Sequence, residues 1–310
     1  MSKYLIIGGL GFLGSNLTRG LIKNNEEVTI LTDTKEEIFK LHEVRDKPKI
    51  IEGSILNINL LKKYIKNQDF IINFAALLDP KQDPNQISDI DIKGQENILE
   101  ACNEVNKNVK IIFPSSRLVY GKPQQNLVKE THPLNPQTQY AKNKAIAESI
   151  YQNSNINSVI IRMPQPYGPG QQIKHHVGNA GFIIGKALRN ETINIFGNGQ
   201  QLRDYIFVKD IAKAITQICK SEKTNNQIYN IGTGIGTKFK DFVTNIIEIS
   251  NSGKFEHVPY PEDKLENETG SCVLDISKIK KDIGWSPETS LKEGLQKTIN
   301  YYKENLNLYL

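Results

Sequence analysis

The chain is poor in features that would set it apart from an ordinary globular protein. Its 310 residues include three cysteines, Cys102, Cys219 and Cys272. They are odd in number, far apart and without a Cys-x-x-Cys pair, which argues against a disulfide framework and a zinc site. They read as buried or incidental thiols. No apolar run approaches the roughly 18 residues of a membrane span. The chain reads as strand from Tyr4, which leaves no room for a signal peptide, so a cytoplasmic location is expected. The net charge of +5 comes from scattered Lys and Arg. No dense basic block interleaves with aromatics, so nucleic acid is not an expected partner. His175 and His176 stand together without a flanking carboxylate or cysteine cluster. They read as a solvated loop or one at a substrate rim, and no metal is expected.

What is present points to a globular α/β protein. Apolar residues make up 38% and charged residues 24%, the balance of a folded chain rather than a disordered one. Leu5-Ile6-Ile7-Gly8-Gly9-Leu10-Gly11-Phe12-Leu13-Gly14 joins a short apolar strand to a helix through glycines three apart. That is a seat for a dinucleotide pyrophosphate. Gly8 allows the tight turn, Gly11 the close approach of backbone to phosphate, and Gly14 the packing of helix on strand. The amides at the helix start, with the positive end of its dipole, suit an anion.

Strand-like and helix-like segments alternate through the first half. Apolar runs at Tyr4–Ile7, Val28–Leu31, Lys49–Ile51, Phe70–Phe74, Lys110–Phe113, Ser158–Ile161 and Gln227–Ile231 predict a doubly wound parallel sheet of about seven strands. Phe12–Lys23, Gln86–Val105 and Gln139–Tyr151 read as helices. The alternation breaks after Pro164. Residues 1–170, with 203–235 returning, are expected to form a Rossmann domain that binds the cofactor. Residues 171–202 and 236–310 are expected to form a smaller C-terminal substrate-binding lobe, loop-rich near 171–202 and 236–290.

Three further features carry chemistry. Asp33 follows the second strand, where an acid can accept from an adenosine ribose diol and favours NAD over NADP; Lys35 beside it softens that preference. Tyr140 and Lys144 share a helix face, and an ammonium beside a phenol is expected to lower its pKa for proton transfer. Phe113-Pro114-Ser115-Ser116 ends the fifth strand in two hydroxyls, at the sheet edge where ligands of open α/β sheets sit.

With these motifs in order, the chain resembles the extended short-chain dehydrogenase/reductase family, the NAD-dependent sugar-nucleotide epimerases and dehydratases. The resemblance spans essentially the whole chain. Besides the glycine loop it rests on Asn73-Phe74-Ala75-Ala76, Ser115 through Gly121, Tyr140-Ala141-Lys142-Asn143-Lys144, Arg162 through Gly170, Arg203 through Asp210, Asn230 through Gly234, and Asp275 through Lys278 with Gly284-Trp285. It implies Tyr140 as general acid/base, Lys144 as anchor of the nicotinamide ribose, and Ser116 as polariser of the substrate oxygen. It implies cofactor contacts from Gly8, Gly11, Phe12, Leu13, Gly14, Asp33, Ser54, Ile55, Phe74, Ala75, Ala76, Tyr140, Lys144 and Pro164. Substrate contacts are implied from Ser116, Gln165, Asn179 and Arg203, the last facing a diphosphate. A homodimer, through the helices Gln86–Val105 and Gln139–Tyr151, is implied too.

The chain also departs from the family pattern. The usual second-strand acid falls nearer Thr32, with Asp33 one place late. Ser54 replaces an adenine-contacting aspartate, and Gln165 a common asparagine. Glu268 falls near a position where an arginine often meets the diphosphate, with Lys264 as a substitute. Arg117 and Leu118 stand where dehydratases carry carboxylates, so 4,6-dehydration is disfavoured. The leading expectation is an NAD-dependent 4-epimerase of a UDP-sugar, similar to the UDP-glucose 4-epimerases, working through a transient 4-keto sugar. An NAD(P)H-dependent nucleotide-sugar reductase, and a non-catalytic NAD-binding regulatory protein, stay open beside it.

Overall fold

The structure is a computed structural model. It describes the chain except residues 45, 77–88, 126, 175–178, 262–268 and 310 and the side chain of Asn179. The central sheet has seven strands: β1 (Lys3–Ile7), β2 (Glu27–Thr32), β3 (Lys49–Glu52), β4 (Phe70–Asn73), β5 (Lys110–Ser116), β6 (Ser158–Met163) and β7 (Ile228–Asn230). All pair in parallel, in the order β7-β6-β5-β4-β1-β2-β3. The expected doubly wound α/β fold is present, and each predicted run contributes one strand.

The strand sequences explain the layers. Side chains alternate across a strand. Tyr4 and Ile6 enter one buried cluster with Ile30, Ile72, Ile112 and Ile161. Leu5 and Ile7 enter the other with Leu31, Ile71, Ile111 and Ile160. A sheet apolar on both faces must be covered on both. Helices α1 (Phe12–Lys23) and, further along, Val208–Lys220 supply Leu17, Leu21, Ile211 and Ile215 to the first cluster. Helices α2 (Ile58–Ile65), α3 (Gly94–Val105) and α4 (Gln139–Gln152) supply Leu61, Ile98 and Tyr151 to the second.

Strand β5 extends beyond its apolar run Lys110–Phe113 and ends at the two hydroxyls, Ser115 and Ser116, as expected. It pairs with β4 only through Ile112, while its pairing with β6 continues to Ser116. Pro114 therefore sits beyond the reach of β4, where its missing N–H costs no ladder bond. The predicted helix Gln86–Val105 starts outside the described residues. Its first described turn, Asp89–Lys93, is a π-turn, and regular helix begins only at Gly94.

The region after Pro164 is more regular than its composition suggested. Helices α5 (Asn179–Leu188), α6 (Val208–Lys220), α7 (Phe239–Ser250), α8 (Ser277–Ile283) and α9 (Leu291–Asn305) lie there. Strand Thr192–Phe196 pairs with Lys254–Val258, and Leu202–Phe207 joins Gln165–Tyr167 to Gly236–Lys238. Ile184, Ile195, Phe242, Ile246, Leu295 and Tyr302 form the core of this region. The rings of Tyr205 and Phe242 stack within it at 3.8 Å.

Candidate active site

Chain order reverses between β1 and β4, since β2 and β3 lie to one side and β5 to β7 to the other. The carboxyl ends of strands at such a point form a ligand crevice. A cleft of about 230 Å³ opens there. Of the predicted cofactor residues, Gly8, Gly11, Asp33, Ser54, Ile55, Phe74, Ala75 and Ala76 line it. Phe12, Leu13 and Gly14 lie in the first turn of α1 beside it.

The glycine loop is shaped for an anion. Gly8 has φ +72°, its N–H donates to Leu31 O at 2.8 Å, and its carbonyl accepts from Gly11 N at 3.1 Å. A Cβ on Gly14 would lie 2.3 Å from Gly8 O and 2.7 Å from Gly9 Cα. A Cβ on Gly11 would meet only Gly8 O, at 3.3 Å, and otherwise open space. The loop thus packs tightly on the helix side and stays open on the other, where the first amides of α1 have no intrahelical acceptor. These residues fit a dinucleotide pyrophosphate. Gly14→Ala should force loop and helix apart. We expect loss of NAD binding in calorimetry together with a lowered melting temperature; a variant that binds NAD like the parent would refute the close-packing argument.

At the ribose end, β2 stops at Thr32, whose Oγ1 donates to Thr34 O at 2.7 Å. Asp33 and Glu37 both line the cleft. Lys35 pairs with Glu52 at 3.1 Å on the surface, and Glu37 pairs with the buried Lys40. Two carboxylates at this end oppose a 2′-phosphate. Thr32, Thr34, Glu37 and Gly53 were not singled out from sequence as cofactor contacts. Glu37 lies four residues past Asp33, in a short 3₁₀ segment that no motif marks.

Ser116, Tyr140 and Lys144 belong to two elements packed together. Ser116 ends β5, and its Oγ accepts from Leu118 N at 3.2 Å. Its proton is left to donate elsewhere. Thr138 caps α4 by accepting from Ala141 N at 3.2 Å, which fixes Tyr140 in the first turn. Lys144 donates to Pro114 O at 3.1 Å, the carbonyl left over where β4 stops. Its Nζ lies 4.7 Å above the Phe113 ring and 5.8 Å from the Tyr140 ring centre. Burial lowers the Lys144 pKa, against the pull of Asp91 and Glu148. Burial, and then Asp91, raises the Tyr140 pKa well above that of an ordinary phenol. This direction is opposite to the one expected from Lys144 alone. The low-dielectric setting outweighs an ammonium whose hydrogen bond goes to a backbone carbonyl.

A buried polar network lies one turn further along α4. Glu148 accepts from Ser115 Oγ and from Arg162, with Nη2 to Oε2 at 2.6 Å. Arg162 also donates from Nη1 to Tyr120 Oη and to Glu130 O, both at 3.0 Å. Tyr120, held at about 12 mainly by burial, donates to Asn230 Oδ1 at 2.8 Å. The network ties α4 to β5, β6 and β7. The sequence signals for it are Glu148, four residues past Lys144, and a lone arginine directly after the apolar run of β6.

Of the predicted substrate residues, Gln165 opens the strand Gln165–Tyr167, directly after the buried Pro164. It pairs in register with Tyr205, two residues from Arg203. Arg203 is mostly buried and donates to Gly270 O. Arg117 donates to Thr269 Oγ1 at 3.0 Å, so both guanidinium groups hold the segment 269–270. Asn179 is the first residue of α5; its side chain, like His175, His176, Lys264 and Glu268, lies outside the described residues. No helix among the described residues is long and apolar enough to cross a membrane.

Comparison with known proteins agrees with this geometry. A family model described as the NAD dependent epimerase/dehydratase family matches residues 4–232. A Methanocaldococcus jannaschii protein, assigned provisionally as a UDP-glucose 4-epimerase, is 33% identical over 97% of this chain and 98% of its own. The UDP-N-acetyl-alpha-D-glucosaminuronate decarboxylase of Bacillus cytotoxicus is 29% identical over 97% of this chain and 98% of its own. Among solved structures, the UDP-glucose 4-epimerase of Thermotoga maritima, determined with UDP-glucose, superimposes with a TM-score of 0.87 at 26% identity, covering 98% of this chain and 99% of that one.

Proposed function

This chain belongs to the NAD-dependent epimerase/dehydratase family, and we propose that within it the chain is a 4-epimerase of a UDP-sugar. Its cofactor is NAD. The observation that supports the reading most is that Ser116 ends β5 while Lys144, which donates to Pro114 O of the same strand, lies 5.8 Å from the Tyr140 ring centre on helix α4. A regulatory NAD-binding protein has no use for that trio. The similarity to UDP-glucose 4-epimerases supports the sugar nucleotide. Arg117 and Leu118 support epimerisation over dehydration, because neither can act as the carboxylate acid or base that elimination of water requires.

In this reading the glycine loop and the first turn of α1 hold the pyrophosphate, and Asp33 holds the adenosine ribose. Bound there, NAD would supply the hydride acceptor and donor. Tyr140 removes the proton from the C4 hydroxyl as the C–H bond breaks, and restores it once the hydride has come back. Ser116 donates a hydrogen bond to the same oxygen and steadies it in both the alcohol and the ketone. Lys144, pinned by Pro114 O and the Phe113 ring, keeps a positive charge near the phenol so that phenolate can form. Arg203 anchors the diphosphate while the 4-keto sugar turns over and presents its other face.

The purified chain should interconvert UDP-glucose and UDP-galactose, or the corresponding hexuronate or N-acetylhexosamine pair, without added cofactor. Nucleotide-sugar chromatography follows the product while absorbance at 340 nm stays flat. Steady consumption of NADH or NADPH with a 4-keto sugar would replace this reading with that of a reductase. Release of carbon dioxide from a UDP-hexuronate would replace it with that of a decarboxylase.

A further inference from the structure

Between the cofactor cleft and helix α4 lies the π-turn Asp89–Lys93. Such turns insert one extra residue into a helix and re-aim the side chains around it. Here the consequence is visible in two consecutive residues. Ile90 lines the cofactor cleft. Asp91, 3% exposed, turns to α4, where its Oδ2 accepts from Asn143 Nδ2 at 3.3 Å. Asn143 is itself held by Gln139, whose Nε2 donates to its Oδ1 at 2.8 Å. It sits between Tyr140 and Lys144 in sequence, on the same turn of the helix.

The turn is clamped from below. Gln95 Nε2 donates to Ile90 O at 3.1 Å, and Gln95 Oε1 accepts from Asn73 Nδ2 at 2.5 Å and from Tyr151 Oη at 2.8 Å. The end of β4 and the far end of α4 therefore fix where the π-turn stands. Burying a carboxylate is costly unless it is paired and hydrogen-bonded.

We propose that Asp91 is a positioning residue of the active site: a buried carboxylate, seated by the π-turn and held by Asn143, that sets the charge balance around Tyr140 and Lys144 and so favours the oxidised, positively charged form of the bound cofactor. The inference rests on the reading of Tyr140 and Lys144 as the proton-transfer pair. Among the described residues, the charged groups that bear on this pair are Asp91 on the π-turn and Glu148 on α4 itself. Of the other charges on the π-turn and the start of α3, Lys93 pairs with Glu96 at 3.2 Å on the surface. Asp91 acts in one sense on both members of the pair: it keeps the proton on the phenol and on the ammonium. Its negative charge also attracts a cation placed near them.

The test is Asp91→Asn, which keeps an acceptor for Asn143 and removes the charge. Two readouts are taken on the full chain. First, NAD⁺ and NADH are titrated calorimetrically, and the ratio of their dissociation constants should rise by roughly fivefold to tenfold in the variant, against the oxidised form. Second, the acid limb of the pH profile of kcat/KM should move to lower pH, because loss of the negative charge makes the Tyr140 proton easier to remove. A purely structural Asp91 would change melting temperature and leave both readouts in place, which overturns the proposal. If Asp91→Asn does not fold, Asp91→Ser removes the same charge and should move the ratio in the same direction; an unchanged ratio there overturns the proposal too. A parent protein with no nucleotide-sugar turnover would sink the epimerase reading, and the cofactor ratio would still decide the role of Asp91.

Discussion

Tyr140→Phe is expected to lower kcat for nucleotide-sugar interconversion by roughly 10²- to 10⁴-fold, the usual contribution of a positioned acid/base, while NAD binding stays within a few-fold of the parent. Loss and retention have separate causes in the structure. Phenylalanine keeps the ring that Lys144 approaches at 5.8 Å. It also keeps the first turn of α4, which Thr138 caps through Ala141 N. The cleft that takes the glycine-loop end of the cofactor is lined by residues of β1 and β2, by the segments after β1, β2, β3 and β4, and by Ile90 of the π-turn, and not by Tyr140. What disappears is one hydroxyl, and with it the only proton carrier that this reading gives the C4 oxygen. Single-turnover measurement of bound-cofactor reduction by substrate isolates the chemical step. A variant within tenfold of the parent there would remove Tyr140 from the proton-transfer role and return the site to simple cofactor binding.

The same residue shows how far sequence reasoning reaches. The spacing of Tyr140 and Lys144 placed both on one helix face, and the structure has them there. The sign of the phenol's shift was not legible. It depends on burial and on Asp91, which lies 49 positions away in sequence, on a π-turn that no helical pattern announces. The glycine loop was readable almost atom by atom, because its constraints are local: a positive φ at Gly8 and a blocked Cβ at Gly14 follow from backbone sterics alone. The seven central strands were readable because both faces of the sheet are apolar. Helix α5 was not, and its glycines explain why. Gly181 and Gly185 lower helix propensity, but a Cβ at either would lie 2.5 or 2.6 Å from the carbonyls of Gln172 and Ile173. They are there for close packing with a segment that sequence alone does not place beside them. Likewise the apolar run of β5 ends at Phe113, and the strand goes on past Pro114. It continues because β4, its partner on that side, stops first.

The second large effect is expected at the buried ion pair between helix α4 and strand β6. Arg162→Met should destabilise the fold by about 3–5 kcal/mol, the range for breaking a buried pair by removing one partner. In a chain of this size that is a drop of roughly 6–15 °C in melting temperature. The geometry places the effect at this end of the range. Glu148 is 1% exposed and Arg162 3%, so neither charge has water to fall back on. Arg162 also serves Tyr120 and Glu130 O, and the substitution strands their acceptors along with the carboxylate. The double variant Glu148→Leu with Arg162→Met separates charge from packing. It leaves no buried ion, and hydrophobic replacements of buried pairs are often neutral or better, so it should recover at least half of the lost stability. Activity should not follow stability back. Glu148 sits one helical turn beyond Lys144, and its bonds to Ser115 and Arg162 set the height of α4 over the end of β5. The double variant should therefore melt close to the parent and still turn over more slowly, with the loss in kcat rather than KM. Calorimetry and steady-state kinetics on the three proteins decide it. Equal kcat in the parent and the double variant would mean that the pair serves only the fold and that Lys144 is placed by Pro114 O alone.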